Sequence, residues 1–156
     1  MSEPASRSGF VTLIGRPNSG KSTLLNQLVG EKISIVTDKP QTTRKVIRGI
    51  VTRPEGQIVV VDTPGVHKPV HRMNRLMMKS VREAMTEVDV LVLMVDASQP
   101  FGKGDQFTLE LIAPIQTKKV LVLNKVDKMK KQDLLPLIDR YSKLEDFDDI
   151  VPFSAL

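Results

Sequence analysis

The sequence has no cysteine and no tryptophan, and only one tyrosine and five phenylalanines among its 156 residues. Without cysteine, disulfides, thiolate metal sites and cysteine nucleophiles are excluded; that absence fits a cytoplasmic protein. Long apolar runs are also missing. VLVLMV from Val90 and VLVL from Val120 are strand-sized, well below the roughly 18 residues a membrane-spanning helix needs. The first nine residues, MSEPASRSG, lack the apolar centre of a secretory signal and read as a loose tail, residues 1–9. There is no internal repeat and no low-complexity tract.

What is present is the composition of one globular domain, 40% hydrophobic and 26% charged. The net charge of +5 favours an acidic partner such as RNA. Lys39, Arg44, Lys45, Arg48 and Arg53 form one basic cluster. Lys68, Arg72, Arg75, Lys79 and Arg82 form another, whereas Asp133, Asp139, Glu145, Asp146, Asp148 and Asp149 make the last part acidic. Solvated faces and a binding surface both account for this pattern.

Short β-branched runs alternate with helical patterns, which predicts an α/β domain around a mainly parallel sheet. Strands are expected at Phe10–Ile14, Val46–Arg53, Gln57–Val61, Val90–Val95, Val120–Leu123 and Asp149–Phe153. Helices are expected near Lys21–Val29, Met73–Val88, Asp105–Ile112 and Gln132–Leu144. RPEG, Arg53 to Gly56, turns the second strand into the third, so one strand is expected to be antiparallel. Met73, Leu76, Met77, Val81, Met85 and Val88 share a helical face and predict core packing. The chain stops three residues after the last strand, and a closing helix over the sheet is expected to be missing.

The strongest motif is GRPNSGKS, Gly15 to Ser22, which fits G-x-x-x-x-G-K-[ST] between a strand and a helix. Its residues Gly15, Arg16, Pro17, Asn18, Ser19, Gly20, Lys21 and Ser22, with Thr23, are assigned to a nucleotide. Backbone N–H groups and the helix start favour phosphate; Lys21 adds a point charge for the β- and γ-phosphates, and Ser22 a hydroxyl for Mg2+. In DTPG, Asp62 offers magnesium a carboxylate, and Gly65 lets its N–H approach the γ-phosphate. NKVD follows, Asn124 to Asp127. The Asp127 carboxylate accepts the N1–H and exocyclic amine of guanine, which adenine does not present, so GTP is the expected ligand. The aliphatic stem of Lys125 is suited to cover the base. The last signal is Ser154, Ala155 and Leu156, where the Ala155 N–H is placed to meet the guanine O6. Between the first two motifs, Thr43, or alternatively Thr42, is expected to bring a second hydroxyl to magnesium from a loop that orders with the γ-phosphate. The catalytic assignments are Lys21, Thr43, Asp62 and Gly65.

GRPNSGKS, PQTTR, DTPGVH, NKVD and SAL, in this order and spacing, resemble the GTPase domain of bacterial Era proteins. The resemblance covers residues 10–156. It implies a three-layer, Ras-like P-loop fold with a six-stranded sheet, and a role in small-subunit ribosome assembly and 16S rRNA maturation. It also implies RNA binding through a C-terminal KH domain, which is not in this sequence, and peripheral membrane association.

One position stands apart from Ras-like enzymes. Val66 occupies the place of the glutamine that orients the attacking water, and valine cannot hydrogen-bond it. Slow hydrolysis, a group supplied by a partner, or a second cation are the three accounts. The resemblance makes Asn18 a candidate ligand for K+; bracing of the loop by hydrogen bonds is the other reading. His67 and His71 follow the motif with no acidic partner near in sequence. The expected function is a GTP-hydrolysing switch. The alternative is a GTP-dependent binding module with negligible turnover, and an ATP-using phosphotransferase is a third reading that Asp127 argues against.

Overall fold

The structure, a computed structural model, describes residues 7–30, 47–63, 75, 78–79, 81–83, 85 and 88–154. In chain order these form β1 (Arg7–Gly15), α1 (Lys21–Val29), β2 (Ile47–Arg53), β3 (Gly56–Asp62), β4 (Val90–Asp96), α2 (Lys103–Ile112), β5 (Lys118–Asn124), α3 (Lys131–Leu144) and β6 (Asp149–Pro152). The strands make one sheet in the order β2-β3-β1-β4-β5-β6. Every neighbouring pair is parallel except β2 with β3. This is the mixed α/β architecture that the alternation of strand and helix patterns predicts.

Central strands of such a sheet are covered on both faces and therefore read as unbroken apolar runs. On one face Ile14, Leu91, Leu93, Val95, Leu121 and Leu123 form a core with α2, α3 and the segment containing Met78, Val81 and Met85. On the other, Leu25 of α1 packs with Leu13, Val51 and Val60. Each fully buried Leu, Ile or Val contributes roughly 1.5–3 kcal/mol, so the strand ends that carry the motifs start from well-fixed positions.

Two expectations need correction. Residues 7–9 are not part of a loose tail: Arg7, Ser8 and Gly9 extend β1 and pair with Gly56, Gln57 and Ile58. The backbone groups at the start of β3 thereby find partners. Asp89 adds to this, because its carboxylate accepts the Phe10 N–H at 2.7 Å. Gly56 has φ 157°, and a Cβ there would run into the Arg7 carbonyl, so the close approach of the two strands requires glycine. The second correction concerns the methionine stripe. Met78 is 1% exposed and joins Val81 and Met85 in the core, a position the expected stripe omits. Met73, Leu76 and Met77 lie outside the described residues, as does residue 46, and Val88 is half-buried.

Candidate nucleotide-binding site

Strands β1, β3, β4 and β5 all release their loops at the same edge of the sheet. From β1 the chain connects through α1 to one side and, later, through β4 to the other, so Gly15 leaves the sheet where the winding direction reverses. Ligands of open α/β sheets bind in the crevice at such a point. The residues that follow have the conformation an anion cradle needs. Asn18 has φ 63° and Gly20 φ 102°, both left-handed, and they fold the loop before α1 begins at Lys21. The start of that helix carries the positive end of its dipole, which favours a phosphate. A Cβ on Gly15 would lie 2.5 Å from the Met94 carbonyl and 2.7 Å from Ser19 Oγ, so the loop sits tightly on the sheet.

Lys21 is only 6% exposed. Its ammonium donates to the carbonyls of Gly15 and Arg16, each at 3.0 Å, and to Ser19 Oγ at 3.3 Å. These oxygens hold the ammonium inside the loop rather than in solvent. Arg16 behaves differently. Its guanidinium goes to Asp105 at 3.3 Å, while Asp105 also accepts the Gly102 N–H at 2.9 Å at the start of α2. What Arg16 gives the cradle is its backbone carbonyl.

NKVD joins this loop directly. Asn124, 2% exposed, donates from Nδ2 to the Ser19 carbonyl at 3.0 Å and accepts the Lys125 N–H at 2.8 Å. The Lys125 ammonium donates to the Asn18 carbonyl at 2.8 Å and to Asp96 at 2.9 Å. Burial by itself raises the Asp96 pKa, but hydrogen bonds from Ser98 and Lys125, with the Lys125 charge, outweigh it and hold the carboxyl below its ordinary value. Asp127 lies in the short turn Val126–Lys128, and the Ser154 hydroxyl donates to its Oδ1 at 2.9 Å. Third and fourth signals thus meet, as the Val126 N–H to Phe153 carbonyl contact at 3.4 Å also indicates.

The loop–helix–NKVD arrangement has a counterpart in sequence. Residues 10–125 match the family described as 50S ribosome-binding GTPase. This chain belongs to that family. Among solved structures, Era in complex with MgGDPNP and nucleotides of 16S ribosomal RNA is 37% identical, with a TM-score of 0.91, over 97% of this chain and 52% of that one. Aquifex aeolicus Era bound to GDP.AlF4- is 36% identical, with a TM-score of 0.89, over 96% of this chain and 52% of that one. A GTP-binding protein from Sulfolobus solfataricus in complex with GDP is 25% identical, with a TM-score of 0.69, over 94% of this chain and 47% of that one. The chain thus spans about half the length of the Era chains it matches, and its P-loop GTPase domain is of the Era type.

GTPases of this family generally use Mg2+, and two residues of a suitable type stand near the loop. Ser22 is in the first turn of α1. Asp62 ends β3, in register with Leu13 two residues before the loop. A hydroxyl and a carboxylate are the hard oxygen donors magnesium prefers. Thr43, Thr42, Gly65, Val66, His67, His71, Ala155 and Leu156 lie outside the described residues, as does the Asp62 side chain. Three contributors escape the sequence reading. Thr63 is fully buried and donates to the Leu13 carbonyl at 2.8 Å, locking the residue after Asp62 to β1. Asp96 and Asp105 anchor Lys125 and Arg16. Their only sequence signal is an acid at the end of an apolar strand and an acid three residues after a helix-starting glycine.

Proposed function

We propose that this chain binds GTP and GDP and hydrolyses GTP, acting as a two-state switch. The observation that carries the reading is the bonding of Asn124 and Lys125 to the Ser19 and Asn18 carbonyls, which makes the base-reading and phosphate-holding segments one site. On binding, the Lys21 ammonium exchanges the Gly15 and Arg16 carbonyls for phosphate oxygens, and the first N–H groups of α1 face the same charge. Asp127 accepts the two guanine donors, with Ser154 holding the carboxylate, and the Ala155 N–H meets O6. Ser22, Asp62 and Thr43 would hold magnesium, which would neutralise charge on the phosphates. Gly65 reports the γ-phosphate through its N–H.

By similarity to Era, the partners of the whole protein are 16S rRNA and the small ribosomal subunit, in the cytoplasm. The basic residues support an RNA-facing surface: Arg75, Lys79 and Arg82 are exposed. Neutralising Arg72, Arg75 and Lys79 should weaken rRNA binding of the full-length protein in one nucleotide state, and unaffected affinity would remove that part of the reading.

Single-turnover GTP hydrolysis with magnesium, in potassium against sodium at equal ionic strength, tests the core of the proposal. Faster cleavage in potassium, lost in Asn18→Ala, assigns Asn18 to a K+ site that compensates for Val66. Tight GTP binding with equally slow cleavage in both salts favours the GTP-dependent binding module, and absence of GTP binding refutes both.

A further inference from the structure

Strand β4 carries none of the four sequence signals, yet it lies between β1 and β5, which do. Its last residue, Asp96, is in register with Asn124, and the next N–H, of Ala97, donates to the Asn124 carbonyl at 2.8 Å. The Asp96 carboxylate is divided between two tasks. Oδ1 accepts the Ser98 N–H at 3.0 Å and the Ser98 hydroxyl, a local turn that orients the side chain. Oδ2 accepts the Lys125 ammonium, whose other bond is to the Asn18 carbonyl. The pair is sheltered, at 23% and 17% side-chain exposure. Lys125 and Asn18 also share an uncommon left-handed backbone, each with φ 63°, a conformation that persists only where neighbours hold it.

We infer that Asp96 is a positioning residue for guanine-nucleotide binding, holding the Lys125 ammonium against the Asn18 carbonyl so that the base-reading turn and the phosphate loop share one geometry before the ligand arrives. This rests on the nucleotide-binding reading above and extends it to a strand that carries none of the four motifs. With Asp96 neutral, the ammonium keeps one uncharged carbonyl and competes for water. A nucleotide must then order the lysine stem and the loop as it binds, which costs affinity. Charge-assisted hydrogen bonds are roughly twice as strong as neutral ones, so an isosteric amide is not an equivalent tether.

A double-mutant cycle on GDP affinity tests this, using Asp96→Asn, Lys125→Met and the two combined, with calorimetry as the readout. Asp96→Asn alone is expected to weaken GDP by about tenfold or more. Added to Lys125→Met, it is expected to change affinity by less than about twofold, because the tether then has nothing to hold. A residue that merely ends β4 would reduce affinity equally in both backgrounds, and that additivity would overturn the inference. If Asp96→Asn does not fold, Ser98→Ala keeps the charge and loosens its orientation. It should weaken GDP by roughly two- to fivefold, and only where Lys125 is present; an effect independent of Lys125 counts against the assignment. Tight wild-type binding with Asp96→Asn unchanged overturns the inference alone, whereas no wild-type GDP binding overturns the functional reading with it.

Discussion

Replacing Asn124 by alanine probes the seam between the two halves of the site. Among the contacts of the Asn124 side chain are hydrogen bonds to the Ser19 carbonyl at 3.0 Å and from the Lys125 N–H at 2.8 Å. Asn124 and Ser19 are each 2% exposed, so water cannot easily replace the lost amide. Two such bonds are worth about 0.5–1.5 kcal/mol each, and a stranded buried acceptor adds about 1–3 kcal/mol. A loss near 3 kcal/mol is expected, a sizeable share of the 5–15 kcal/mol typical of a domain. For a domain of this length it corresponds to a fall in Tm of roughly 6–12 °C. Urea unfolding without nucleotide gives the first readout and GDP titration the second. Both should deteriorate, since the same amide stabilises the fold and shapes the loop. A stability loss below about 1 kcal/mol would mean that the carbonyl finds another donor. Lost stability with intact GDP affinity would mean that the loop does not depend on this tether.

Three further expectations follow from specific contacts. Asp127→Asn should move base preference from guanine toward xanthine by on the order of 10²-fold or more, measured by competition; retained guanine preference would remove Asp127 from the base site. The lowered pKa of Asp96 means that its folded form binds protons less readily than its unfolded form. Its stabilisation is complete above the unfolded value of about 3.9 and fades as pH falls through the lower folded value. Asp96→Asn protein should therefore lose less stability than wild type as pH falls below about 4, as read from acid titrations of the unfolding midpoint. Tyr141 has the opposite sign: burial, then the Asp105 charge, push its hydroxyl pKa up. Stability should fall as pH rises above about 10, where the unfolded tyrosine ionises and the folded one does not. Tyr141→Phe should blunt that alkaline loss, and an identical decline in the variant would exclude Tyr141 as its source.

The motifs were legible because each is a backbone requirement written in residue types. Gly20 adopts φ 102° and abuts the Asn124 amide, so its place in GRPNSGKS is a steric demand. The strands were legible because burial on both faces leaves apolar runs such as VLVLMV. Strand ends were less so. β1 starts at Arg7, among polar residues, because the pairing at Gly56 comes from a segment about fifty residues away in sequence. Asp96, Thr63 and Asp105 were invisible for the same reason. A lone carboxylate or hydroxyl has no local pattern, and its function appears only when Lys125, Leu13 or Arg16 is brought beside it. Arg16 illustrates the limit of motif reading: its position in the loop is fixed by the motif, but its side chain serves α2.

The strand order also sets a timetable for folding. β2 and β3 are joined by Pro54 and Glu55 and pair antiparallel from Ile47↔Asp62 to Arg53↔Gly56. Such a hairpin forms in roughly 1–10 μs. β1 is synthesised before either of its neighbours, β3 and β4, and pairs with both. At about 5–20 residues per second, the ribosome needs roughly 5–22 s after Gly15 to deliver Asn124. During that interval the phosphate loop exists without the amide and ammonium that hold it. The nascent chain therefore carries a recognisable motif well before it carries a finished cradle, and nucleotide has its full grip only when the fifth strand has docked.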